Sequence, residues 1–186
     1  MAYLKKRGLT VIDVLKYQIG YCEKGRYANK IIIPTFNTDG VLDYFVARSF
    51  ENDPRRKYDA PSSDKNIIGF ENMINWDVPV VLCEGAFDAI AIKRNAIPLF
   101  GKTISKKLMK KLVTSEIKKV YLALDNDAIK STYKIEEQLL QAGKKLFVVE
   151  LDNKDPSDMG FALFTNKIQE SQEFNFSSLF NLKLSL

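Results

Sequence analysis

Three short apolar runs, each closed by an acid, pace the second half of the chain. They are Val80-Val81-Leu82-Cys83 before Glu84, Val120-Tyr121-Leu122-Ala123-Leu124 before Asp125, and Leu146-Phe147-Val148-Val149 before Glu150. Unbroken apolar runs of this length read as strands covered on both faces. Between them the period changes to that of a helix. The spacing predicts helices over 87–95, 106–115 and 128–142, with Thr103 or Ser105 able to cap the second and Gly143 closing the third. In 106–115, Leu108, Met109, Leu112 and Val113 form the apolar stripe opposite Lys106, Lys107, Lys110 and Lys111. Residues 97–100 predict one more short strand. Strand and helix in alternation give an α/β fold with a parallel sheet and right-handed crossovers. In such sheets ligands bind at the carboxyl edge of the strands.

The first part of the chain is patterned differently. Residues 9–17 predict a short helix capped by Thr10 and stopped by Gly20. Ile31-Ile32-Ile33-Pro34 reads as a strand, Asn37-Thr38-Asp39-Gly40 as a hairpin turn, and 41–49 as the returning strand. A loop from Asn52 to Asp64 carries Arg55-Arg56-Lys57-Tyr58. Residues 1–76 are therefore expected to form a small α+β unit, opening with a basic, loosely held stretch from Met1 to Gly8. Residues 77–159 form the parallel domain, and 160–186 a short helix (162–170) and a tail. Phe174, Phe176, Leu179 and Phe180 make that tail too apolar to hang free, so it is expected to dock on this chain or on a partner.

Composition narrows the chemistry. An apolar share of 46% over 186 residues supports a core for one good-sized domain or two small ones. There is no histidine and only Cys22 and Cys83, which excludes four-ligand zinc and histidine catalysis. Cys83 lies inside an apolar strand and reads as a small buried hydrophobe. No stretch approaches the ~18 apolar residues of a membrane span, and nothing resembles a signal peptide. A cytoplasmic protein is expected, in a cell or in a virus-infected host. The net charge of +5 beside an acidic mid-chain cluster suits a polyanionic partner held by Lys and Arg around a metal, although ordinary lysine excess explains the charge equally well.

The acids carry the functional argument. Glu84 ends the first strand where Gly85 lets the backbone turn, and Asp88 follows one helical turn later. Asp125 and Asp127 point to the same side in extended geometry, so they can share one metal or bridge two. Asp155 and Asp158 flank the stiffening Pro156. So many carboxylates on one edge resist ionising together unless a cation intervenes. An oxygen-only set suits magnesium or manganese, which take phosphate oxygens as further ligands. The expectation is metal-assisted phosphoryl chemistry.

Glu84-Gly85-Ala86-Phe87-Asp88 together with Asp125-Asn126-Asp127 resembles the Toprim signature of bacterial and phage primases, type IA and II topoisomerases and some nucleases. Ile31-Ile32-Ile33-Pro34, Asp39-Gly40, Arg48 and Lys57-Tyr58 stand in the order of the unit that precedes Toprim in DnaG-type primases. Phe100-Gly101-Lys102-Thr103 and Lys154-Asp155-Pro156-Ser157-Asp158 extend the likeness over roughly residues 9–160. The resemblance implies a primase-type RNA polymerase core that makes short primers on single-stranded DNA from nucleoside triphosphates, with two magnesium or manganese ions. It assigns proton transfer and metal binding to Glu84, and metal binding to Asp125 and Asp127. Asp88, Asp155 and Asp158 support that metal site. Arg48 and Lys57 would grip triphosphate or template, against a rival role in exposed salt bridges, and Lys102 is a weaker phosphate candidate.

The departures matter too. Ala128 is followed by Ile129 rather than glycine, no zinc module is present, and little chain follows Asp158. Template choice and helicase contact would then fall to other proteins, an economy that fits a phage or other mobile element. Two other readings use the same residues. A Toprim nuclease would direct water at a phosphodiester, and a non-catalytic Toprim module would bind nucleic acid or a replication partner through Phe174–Phe180. A topoisomerase would need a nucleophilic tyrosine on a further domain.

Overall fold

The computed structural model of the chain describes residues 1–50, 58–62, 64–124, 129–152 and 154–184, with the backbone alone at 129–132. Alternation in the first half yields an antiparallel sheet. Its strands are β1 (Gly20–Cys22), β2 (Lys30–Phe36), β3 (Leu42–Ser49) and β4 (Tyr58–Asp59), in that spatial order. The turn between β2 and β3 is the expected one. Gly40 takes φ 74°, and the Asn37 side chain accepts from the Asp39 and Val41 amides at 3.0 Å. Along β3, Tyr44, Val46 and Arg48 turn to the buried side.

The second half forms a sheet ordered β6-β5-β7-β8-β9, with β5 Val80–Cys83, β6 Ala96–Pro98, β7 Lys119–Ala123, β8 Lys145–Val148 and β9 Gln172–Phe174. The β6, β5, β7 and β8 neighbours are parallel, and β9 runs antiparallel to β8. All of β5 is buried, because both of its faces are covered. Val81 and Cys83 join the cluster of α3 (Ala86–Ile92) and α6 (Pro156–Glu170), through Phe87, Ile90 and Phe164. Val80 and Leu82 join Leu108 and Leu112 of α4 (Lys106–Thr114) and Ile135 and Leu139 of α5 (Ile129–Gln141). Ser105 caps α4, its hydroxyl accepting from the Leu108 amide at 3.0 Å.

The α3–α6 cluster also takes in Leu4, Leu9, Tyr17, Ile31, Ile33 and Phe70, so the two sheets share one apolar layer. At the seam the chain passes very close to β6. A Cβ on Gly69 would stand 2.5 Å from the Pro98 carbonyl oxygen.

Several local expectations change. Residues 2–6 are helix α1 (Ala2–Lys6) and not a loose end, because Leu4 enters the core. Helix α2 (Val11–Lys16) has the Thr10 capping box, with Asp13 reaching back to the Thr10 amide at 2.7 Å. Gly20 opens β1 instead of merely ending a helix. The helix expected at 162–170 begins at Pro156 and is interrupted at Gly160, whose φ 76° and ψ 167° hid its first turn from the periodicity. In the tail, Phe174 belongs to β9 and Leu179 of α7 (Phe176–Leu184) is buried, whereas Phe176 and Phe180 are exposed. No helix among the described residues is long and apolar enough to cross a membrane.

Candidate functional site

A cavity of about 470 Å³ opens at the carboxyl edge of the parallel sheet, against the antiparallel one. Glu84, Gly85, Ala86 and Asp88 line one side with Ala123, Asp155 and Pro156; Tyr44, Val46, Tyr58, Asp59, Lys65 and Phe100 line the other. Pairing of Cys83 with Ala123 across β5 and β7 sets the two strand ends side by side. The end of β5, the start of α3 and the start of α6 therefore deliver their acids to one place.

Local sequence explains each placement. Gly85 is the N-cap of α3, and a Cβ there would stand 2.7 Å from Asp88 Oδ2. Only glycine leaves room for the Asp88 carboxylate to fold back over the turn. Asp88 Oδ1 accepts from the Ser157 amide at 3.2 Å, which ties α3 to the first turn of α6. Asp155 is the N-cap of α6, yet its side chain makes no cap bond; it lines the cavity. Burial first, and then the nearby Asp155 charge, push the Asp88 carboxyl up to about 6, against the pull of the Ser157 amide and Arg7. Burial likewise lifts the Cys83 thiol well above its ordinary value, so this cysteine is inert packing.

The remaining candidates fall elsewhere. Asp158 does not line the cavity; its Oδ1 accepts from Arg7 Nη1 at 2.9 Å on the surface. Arg48 is 5% exposed, and its described partners are tyrosines, not the carboxylate of an exposed salt bridge. Its Nε donates to the Tyr3 hydroxyl at 2.7 Å, and its guanidinium lies 4.1 Å from the Tyr58 ring centroid. Lys102 is exposed, one residue beyond Gly101, which is the last residue of its loop to line the cavity. Asp125, Asp127 and Lys57 lie outside the described residues.

Among the described residues, no three carboxylates or cysteines form a ready group for a metal ion. The donor chemistry still suits a hard cation: oxygen ligands only, with the Asp88 carboxyl raised by burial and then by the neighbouring Asp155 charge, which a cation would offset. Periodicity missed Lys65, Tyr44 and Phe100 as cavity residues. The signal for Phe100 was its place before Gly101, which reads as a turn but not as a wall.

A family model described as Toprim-like matches residues 81–159. The chain is 30% identical over 171 residues to Uncharacterized protein MG010 of Mycoplasma genitalium, covering 84% of this chain and 77% of that protein. This chain belongs to the MG010 family. The DNA primase of Thermotoga maritima is 24% identical over 226 residues, covering 94% of this chain and 40% of that primase. Among solved structures, the DnaG primase catalytic domain bound to single-stranded DNA superposes with a TM-score of 0.80 at 18% identity, covering 98% of this chain and 74% of that one. The fold is that of the DnaG-type primase catalytic core.

Proposed function

We propose that this chain is a primase-type nucleotidyltransferase that extends short primers on single-stranded DNA from nucleoside triphosphates. The observation that carries the reading is the cavity between the two sheets. It joins Glu84, Asp88 and Asp155 at a strand edge to an aromatic wall, within a primase-core fold. Glu84, Asp88 and Asp155, with Asp125 and Asp127, would hold magnesium or manganese, which when bound neutralises triphosphate charge and favours attack of the primer 3′-hydroxyl on the α-phosphate. Glu84 accepts the hydroxyl proton, and pyrophosphate leaves. Asp88 and Asp155 fix the acidic edge and Lys57 and Lys102 supply positive charge toward phosphates, whereas buried Arg48 acts through Tyr58 and not on a phosphate.

The reading extends to partners. A single-stranded DNA template is supported by a solved structural relative that holds single-stranded DNA, and a replicative helicase or a separate template-recognition protein is the partner proposed with it. Incubation with labelled nucleotides, single-stranded DNA and Mn²⁺ should give short RNA products that Glu84→Gln abolishes. Cleavage of the DNA with no nucleotide present would instead assign hydrolysis to the same acids. Absence of both reactions, with no saturable Mn²⁺ binding, would leave a non-catalytic module.

A further inference from the structure

The cavity is lined by both acids and aromatic rings, and metal and phosphate account only for the acids. Tyr58, Tyr44 and Phe100 form an aromatic wall with Val46 and Ala60 in the same cavity as the acids. Tyr58 is 51% exposed although it lines the cavity. Arg48 lies over one face of its ring, and a ring has two faces. Buried Arg48 is itself held by Tyr3, so the Tyr58 ring rests on a fixed support.

Phe100 is set with equal care. Its backbone takes φ 54°, a left-handed conformation that a bulky residue rarely adopts. Lys65 Nζ donates to its carbonyl at 3.2 Å, and the ring contacts Tyr44 and Phe70 at centroid distances of 5.2 and 6.5 Å. A strained, braced aromatic at a cavity wall is how proteins present a flat surface to a ligand. A cavity of about 470 Å³ lined by both acids and aromatic rings matches a nucleotide, whose phosphates need a cation and whose base needs a stacking surface.

We infer that the Tyr58–Phe100 wall is a nucleobase subsite, in which Tyr58, backed by Arg48, and Phe100 stack the base of the nucleotide whose phosphates lie toward Glu84. This rests on the nucleotidyltransferase reading for the identity of the ligand. Stacking on a ring does not depend on hydrogen-bonding edges, so the subsite accepts every base.

The test compares binding of ATP and inorganic tripolyphosphate in Mn²⁺ by calorimetry, for the intact chain and its variants. ATP should bind more tightly than tripolyphosphate. Tyr58→Ala should weaken ATP on the order of tenfold, within the range of base–aromatic stacking, and leave tripolyphosphate unchanged. Tyr58→Phe should retain the preference, and Phe100→Leu should reduce it. Equal binding of the two ligands by the intact chain, binding of neither, or an equal loss for both in Tyr58→Ala overturns the subsite. A chain that makes no primer yet keeps the preference retains the subsite and loses only the polymerase reading. Primer synthesis by a chain without the preference removes the subsite alone.

Discussion

At the amino ends of β7 and β8, Lys144 is buried, and its ammonium donates to the Ser115 and Ile117 carbonyls at 2.7 and 2.8 Å. At the carboxyl end of β5, Asp88 is also withdrawn from water, yet a second carboxylate stands nearby and the acid is pushed up to about 6. One end of the sheet meets its buried charge with fixed dipoles. The other sets two carboxylates together, which the Ser157 amide and Arg7 only partly offset. Strongly perturbed charge of this kind marks functional edges more often than structural ones.

Four substitutions test that contrast, in order of expected effect. Glu84→Gln should reduce primer synthesis at least about 100-fold, the usual contribution of a positioned acid–base group, as measured by nucleotide incorporation. Lys144→Met leaves carbonyls at the opposite end without their donor and should cost about 1–3 kcal/mol in urea denaturation, with Mn²⁺ affinity unaltered. If Lys144→Met proves neutral, the structural end is not held as described.

Asp88→Asn should do the reverse. The folded carboxyl titrates near 6 and the unfolded one near 3.8, so the fold binds the proton more tightly and the parent loses stability as pH climbs between those values. Asparagine removes that slope, and the variant should be more stable than the parent at pH 8 by about 1–2 kcal/mol. It should also lose the gain in melting temperature that Mn²⁺ gives the parent. A pH-independent parent between 4 and 6 would refute this account.

The smallest effect concerns Glu136 on α5, 4% exposed, its Oε2 without a partner among the described residues. Burial pushes it up from 4.5 to about 7, so it too weakens the fold as pH rises through that window. Glu136→Gln should stabilise the protein by about 1 kcal/mol at pH 8 and not at pH 4.5, measured by thermal melts. Mn²⁺ should act on this variant as on the parent, which would separate a merely buried acid from one at the candidate site.

Much of this was legible in the chain itself. The strands at 80–83, 119–123 and 145–148 follow from unbroken apolar runs, and Gly85 from the sharp turn needed beside Asp88. What sequence could not supply is which distant side chains meet. Arg48 was expected to grip triphosphate or template, or else to sit in an exposed salt bridge, but its place on β3 beside β4 buries it between Tyr3 and Tyr58. Asp158 shares a motif with Asp155, yet it pairs with Arg7 on the surface instead of lining the cavity, and Arg7 lies in a stretch expected to be loose. Phe100 reads as part of a turn, and only the packing of Tyr44 against it makes it a wall.

Strand β9 adds a consequence for handling the protein. By pairing with β8 through Leu146–Phe174, Phe147–Glu173 and Val148–Gln172, it occupies the hydrogen-bonding groups along that side of β8. Forms trimmed before residue 172 would present those groups bare and should self-associate by strand addition, so a shortened version is a poor choice for crystallisation or assay.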